Sequence, residues 1–277
     1  MTTPMIKLNN GVDIPQLGLG VWQVPNDQAT ASVEHALASG YRSIDTAAMY
    51  RNEDGVGVGL VNSGVPRDQI FVTTKLNNDA HGYEPALRAF DESLRRLKLD
   101  YVDLYLIHWP LPSQDRYVET WKAFEKIYAE GRARAIGVSN FQPHHLRRLL
   151  SEVPDGTVPA LNQIELHPYF QQPELRGFHA ENQIATEDWS PLAQGGDVLN
   201  DPTITGLADK HGKTPAQVVL RWHIQIGSVV IPKSVTPARI EENIDVFDFE
   251  LGSADMDAIA KLDKGVRIGG DPDTLGG

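Results

Sequence analysis

The sequence contains no cysteine. That excludes a disulfide framework, a thiolate nucleophile and a zinc site built on thiolates. No apolar run reaches the ~18 residues that a membrane-spanning helix requires. Met1-Thr2-Thr3-Pro4 has neither the basic nor the apolar region of a secretory leader. A cytoplasmic location without a membrane partner is the expectation. Positive charge is scarce as well: 25 lysines and arginines stand against 37 aspartates and glutamates, a formal net charge of −12. Such a surface repels polyanions, so nucleic acid is not the expected partner, although a locally basic phosphate pocket stays open. No Pro- or Gly-rich linker interrupts the middle of the chain, so residues 1–277 are expected to form one domain, and a monomer is expected.

What is present is a rhythm. Met5 to Ile14 reads as a hairpin turning at Asn10-Gly11, a pair that tolerates positive φ. Short apolar runs then recur at Leu17–Val21, Tyr41–Ile44, Ile70–Thr74, Val102–Ile107, Ala135–Val138, Ala160–Ile164, Ile184–Glu187 and Val229–Ile231. Helical periodicity fills the gaps over Ala29–Ala38, Pro85–Leu97 and Tyr117–Tyr128. Thr214-Pro215 and Thr236-Pro237 each look like an N-cap followed by a first-turn proline. Strands alternating with helices imply parallel pairing through right-handed crossovers, and eight such units in 277 residues match a (β/α)8 barrel. The fold class is therefore α/β, with a short N-terminal β-hairpin and a C-terminal tail. A doubly wound sheet is the structural alternative. The tail, Gly269 to Gly277, reads as polar and mobile.

Several motif fragments fail on spacing. Gly55, Gly57 and Gly59 lack the third glycine of a dinucleotide fingerprint and read as a turn and a tightly packed helix. Gly212-Lys213-Thr214 lacks the first glycine of a P-loop, and Gly137 to Phe141 misses the last glycine of a nucleophile elbow. His144 and His145 are adjacent rather than four apart, so no metal site is expected from them.

In a parallel barrel, functional side chains gather where strands end. The second predicted strand ends at Asp45, with Tyr50 in the loop beyond; the third ends at Lys75 and the fourth at His108. An ammonium near a phenol favours the phenolate and lowers its pKa, and a carboxylate holds the ammonium charged. Asp45, Lys75 and Tyr50 thus read as a tuned general acid, with His108 orienting a carbonyl oxygen or sharing in a proton relay. Later strand ends carry Ser139, Asn140 and Gln163, able to bind a carboxamide, and Trp189, able to stack on a planar ring. Lys233, Ser234 and Arg239 flank the predicted helix start at Thr236-Pro237, a setting for an anion.

The sequence resembles the aldo-keto reductases in Gly40-Tyr41-Arg42-Ser43-Ile44-Asp45-Thr46-Ala47, Tyr50, Thr73-Thr74-Lys75-Leu76, Asp103 through Pro110, Ile136 through Phe141, Asn162-Gln163-Ile164-Glu165 and Ile231 through Asn243. It is most similar to the bacterial group that includes 2,5-diketo-D-gluconate and glyoxal reductases. The resemblance implies a barrel that binds NADPH/NADP+ and reduces small carbonyl substrates to alcohols reversibly. It implies Asp45, Tyr50, Lys75 and His108 as the catalytic tetrad, with Tyr50 the proton donor. It assigns Ser139, Asn140 and Gln163 to the carboxamide, Trp189 to the nicotinamide face, and Ser190, Leu192 and Gln194 to the pyrophosphate. Lys233, Ser234, Val235, Arg239 and Asn243 would hold the adenosine 2′-phosphate and adenine, and Trp22 and Trp109 would wall the substrate pocket. Asn77, Asp188 and Thr236 depart from the residues usual at their places. The respective expectations are a wider or wetter pocket, a carboxylate that either disfavours anionic substrates or lies harmlessly behind the ring, and a looser preference for NADPH over NADH. The alternative function is a nucleotide-loaded barrel with a regulatory or structural role and no significant turnover.

Overall fold

The computed structural model describes residues 3–153 and 156–275. The hairpin pairs β1 (Met5–Lys7) with β2 (Asp13–Pro15), antiparallel. A parallel sheet follows from β3 (Leu19–Gly20), β4 (Ser43–Asp45), β5 (Phe71–Leu76), β6 (Val102–Ile107), β7 (Ala133–Ser139), β8 (Leu161–Glu165), β9 (Ala185–Trp189) and β10 (Val229–Val230), each strand beside the next in the chain. Gly18 N–H donates to Val230 O and Val230 N–H to Gln16 O, both at 2.9 Å, so the last strand meets the first and the sheet closes. This is the (β/α)8 barrel; the doubly wound alternative is set aside, because an open sheet would leave those edges unpaired.

Closure follows from a period-two pattern with two different apolar sets. Ile44, Val72, Leu76, Tyr105, Ile107, Ile136 and Val138 point outward into one core shared with the helices. Phe71, Leu104, Leu106, Ala135 and Leu161 point into the lumen, where Leu8 and Ile14 of the hairpin region join them. The lower lumen is thus filled with hydrocarbon and plugged from below. Further along the inward-facing rows stand Asp45, Lys75, His108, Ser139, Gln163 and Glu187, all buried. The polar upper lumen is a continuation of the strand period.

The connecting helices are α1 (Asn26–Ala38), α2 (Glu53–Asn62), α3 (Tyr83–Leu97), α4 (Tyr117–Ala129), α5 (Pro143–Glu152), α6 (Pro173–Glu181), α7 (Pro202–His211), α8 (Pro215–Gln225), α9 (Pro237–Ile244) and α10 (Ser253–Ala260). Thr214 caps α8 as expected, accepting from Gln217 N–H at 3.3 Å. Thr236 precedes α9 but makes no side-chain cap. The glycines of the failed fingerprint lie in α2, where a Cβ on Gly57 would stand 2.5 Å from Leu97 O. No described helix is long and apolar enough to cross a membrane.

Candidate active site

A cavity of about 1490 Å³ opens at the C-terminal ends of the strands. It is lined by Trp22, Asp45, Tyr50, His108, Trp109, Ser139, Asn140, Gln163 and Trp189, and beyond them by Ser190, Leu192, Gln194, Lys233, Ser234, Val235, Arg239 and Asn243. Every site residue read from the sequence lines this cleft except Lys75, which lies beneath its floor with its side chain fully buried. A second cavity, of about 800 Å³, lies beside the hairpin and includes none of them.

At the floor, Lys75 Nζ donates to Asp45 Oδ1 at 2.6 Å, to Thr46 O at 3.0 Å and to Tyr50 Oη at 3.3 Å. Burial alone would lower Lys75, but Asp45, Tyr50 and Glu187 outweigh it and hold the ammonium at about 12. Burial pushes the Asp45 carboxyl up, against the pull of Lys75 and Gln163. Tyr50 corrects the sequence expectation. Its phenol is raised above the ordinary 10.0, because burial outweighs the neighbouring ammonium. The Tyr50 ring is edge-on to His108, with centroids 5.7 Å apart. Burial, with Lys75 nearby, holds His108 well below its ordinary 6.5, so the imidazole is neutral at physiological pH. Its Nδ1 has no partner among the described residues.

The middle of the cleft is a set of braced amides. Asn140 Nδ2 donates to His108 O at 3.0 Å and to Ser139 Oγ at 3.1 Å, while its Oδ1 accepts from Trp189 Nε1 at 2.8 Å. That bond fixes the Trp189 ring. Gln163 Nε2 donates to Asp45 Oδ2 and to Glu187 Oε2, each at 2.8 Å. At the far end, Lys233 and Arg239 form no ion pair among the described residues, and the α9 N-terminus beside them is uncapped. Two cations without carboxylate partners fit a phosphate, and Gln163's remaining carbonyl oxygen fits an amide N–H, so these residues suit a phosphorylated pyridine dinucleotide.

The three departures resolve differently. Asp188 is fully buried and points away from the cavity, with Oδ2 2.6 Å from His223 Nδ1 on α8, so it presents no charge to a substrate. Asn77 accepts from Asn78 N–H at 2.9 Å and caps the short turn that brings Asn78 to the cavity wall. Thr236 lines the far end beside the two cations.

The tail is the part the sequence reading missed. Ile268, Gly269, Gly270 and Leu275 line the cavity. Ile268 N–H donates to Glu165 Oε1 at 2.6 Å and Gly269 N–H to Glu165 Oε2 at 2.9 Å. A Cβ on Gly269 would lie 2.3 Å from Trp189 Cη2, so glycine alone lets the strap lie against that ring. His144 Nε2 meets Asp273 Oδ1 at 3.0 Å. The described tail is therefore tied down, against the expected mobility; Gly276 and Gly277, like Met1 and Thr2 at the other end, lie outside the described residues. The available signal was Glu165, an acid at the end of β8 that is fully buried and so needs donors.

The model of the Aldo/keto reductase family matches residues 16–264. An aldo-keto reductase of Mycolicibacterium smegmatis is 58% identical over 273 residues, covering 99% of this chain and 98% of its own. The methylglyoxal reductase DkgA of Escherichia coli is 55% identical over 274 residues, covering 99% and 98%. A variant of Gox0644 solved in complex with NADPH superposes with a TM-score of 0.95 at 50% identity, covering 99% of each chain. The chain belongs to the aldo/keto reductase family.

Proposed function

We propose that this chain uses NADPH to reduce small aldehydes, ketones or dicarbonyls to alcohols, with Tyr50 giving up the proton. The observation that carries this is the buried Lys75 ammonium, 2.6 Å from Asp45 and 3.3 Å from the Tyr50 hydroxyl at the floor of the cleft. The relative named methylglyoxal reductase and the neighbour solved with NADPH support the substrate class and the cofactor.

NADPH, when bound, supplies the hydride that adds to the carbonyl carbon. Ser139, Asn140 and Gln163 would hold the carboxamide end, Trp189 the pyridine ring, and Ser190, Leu192 and Gln194 the pyrophosphate. Lys233, Ser234, Val235, Arg239 and Asn243 would hold the 2′-phosphate and adenine. Neutral His108 donates an N–H to the carbonyl oxygen and orients it between Trp22 and Trp109. As negative charge develops there, Tyr50 Oη–H transfers its proton to that oxygen. The alcohol leaves with one added hydride and one added proton, so the atoms balance. A phenol raised by burial is fully protonated at working pH, and an alkoxide is basic enough to take its proton. Lys75 stabilises the phenolate that remains, and Asp45 keeps Lys75 charged and in place.

Oxidation of NADPH by a panel of methylglyoxal, phenylglyoxal and simple aldehydes tests this reading. Turnover with at least one dicarbonyl is expected. Silence across the panel, with NADPH bound, would favour a nucleotide-loaded barrel without turnover.

A further inference from the structure

Beside the residues that the proposed reaction uses stands a carboxyl that it does not. Glu187 projects from β9 into the lumen and is fully buried. Its Oε1 has no partner among the described residues, and its Oε2 accepts from Gln163 Nε2 at 2.8 Å. Burial, with the charge of Asp45 beside it, pushes the group up to about 8. A carboxyl this costly to bury, with its one hydrogen bond directed at Gln163, belongs to the account of that amide.

The same Gln163 nitrogen donates to Asp45 Oδ2 at 2.8 Å. Both amide hydrogens are therefore taken by carboxyl oxygens, one on β4 across the lumen and one on the neighbouring strand β9. A flipped amide would turn its carbonyl toward Asp45 with no proton between the two oxygens. With Asp45 alone, one amide hydrogen would be unmet. Gln163 lines the cavity, so the end left facing it is the carbonyl oxygen.

We propose that Glu187 is a positioning residue: with Asp45 it pins the Gln163 amide so that the cleft offers an acceptor, and the carboxamide of the bound dinucleotide must present its N–H there. This rests on the assignment of the cleft to NADPH. It also links cofactor seating to the acid chain, since Asp45 holds Lys75 with one oxygen and Gln163 with the other.

The test is a titration of tryptophan fluorescence with two ligands, NADPH and 2′-phospho-ADP-ribose, which lacks the nicotinamide. Glu187→Leu removes the acceptor, whereas Glu187→Gln keeps a carbonyl in its place. The expected result is a roughly five- to tenfold weaker Kd for NADPH in Glu187→Leu, the loss of about one neutral hydrogen bond. Affinity for 2′-phospho-ADP-ribose stays at the wild-type value, and Glu187→Gln returns NADPH binding to within about twofold of wild type. Gln163→Leu, which removes the amide itself, gives the same split between ligands and serves should Glu187→Leu not fold. Unchanged NADPH binding in Glu187→Leu overturns the proposal, as does an equal loss of both ligands or a Glu187→Gln that behaves like Glu187→Leu. A wild-type chain that binds neither ligand overturns the cofactor assignment instead, a result distinguishable from the others because they all require tight wild-type binding.

Discussion

His179 on α6 is buried with Nε2 2.9 Å from the Asn162 amide nitrogen and Nδ1 2.9 Å from Thr186 Oγ1. It thereby joins β8 and β9, the strands that carry Gln163 and Glu187. An amide nitrogen can only donate, so Nε2 must keep its lone pair and the ring must be neutral. Burial, with Arg176 adding to it, pushes His179 from 6.5 down to about 3. Between those values the unfolded chain binds a proton that the folded chain refuses, so stability is present above 6.5 and is lost as pH falls toward 3. His81 and His145, both lowered to about 4, add to the same acid loss. Urea unfolding near pH 7 and near pH 4.5 should show a falling midpoint in wild type and a smaller fall in His179→Gln. Equal falls in the two proteins would contradict the assignment. Asp45, Tyr50, Lys75 and His108 were legible in the sequence because each follows a recognisable apolar run. The upward shift of Tyr50 was not, because burial is a property of the closed lumen. Glu187 was passed over for a related reason: an acid ending a strand at the surface and an acid buried in the lumen look alike in sequence.

Elements were legible where they are long and periodic. Val102–Ile107 agrees at both ends, and Tyr117–Tyr128 to within one residue. Boundaries slipped at β3, whose ladder is two residues, and at β9, which runs on to Trp189. In α2 the glycines are a packing device. A Cβ on Gly57 would meet Leu97 O at 2.5 Å and Arg96 O at 2.8 Å, both backbone atoms that cannot swing away. Helix propensity favours alanine by about 1 kcal/mol, but forcing α2 off α3 costs about 1–3 kcal/mol. Gly57→Ala should therefore lower Tm, whereas Gly177→Ala, at an exposed position of α6 with nothing within 4 Å, should raise it slightly. A Gly57→Ala protein as stable as wild type would show that α2 and α3 are not in close contact. The tail escaped notice because its anchors, Glu165 and Trp189, lie about a hundred residues earlier in the chain and no local pattern joins them to Gly269.

At the scale of the whole molecule, the chain closes a sheet whose lower lumen is hydrocarbon and whose upper lumen is a ring of polar side chains. That division was legible as a count of strand–helix units with titratable residues at the strand ends; the bond between the first and last strands, which turns a row into a ring, was not. Closure brings Asp45 of β4 within 2.8 Å of Gln163 of β8 across the lumen, and so joins the Asp45–Lys75–Tyr50 chain to the amides of the cleft. The most direct test is a single turnover of NADPH-loaded protein mixed with methylglyoxal. Tyr50→Phe should bind NADPH as wild type does and oxidise it about 10²–10⁴-fold more slowly. Oxidation at the wild-type rate would contradict the account.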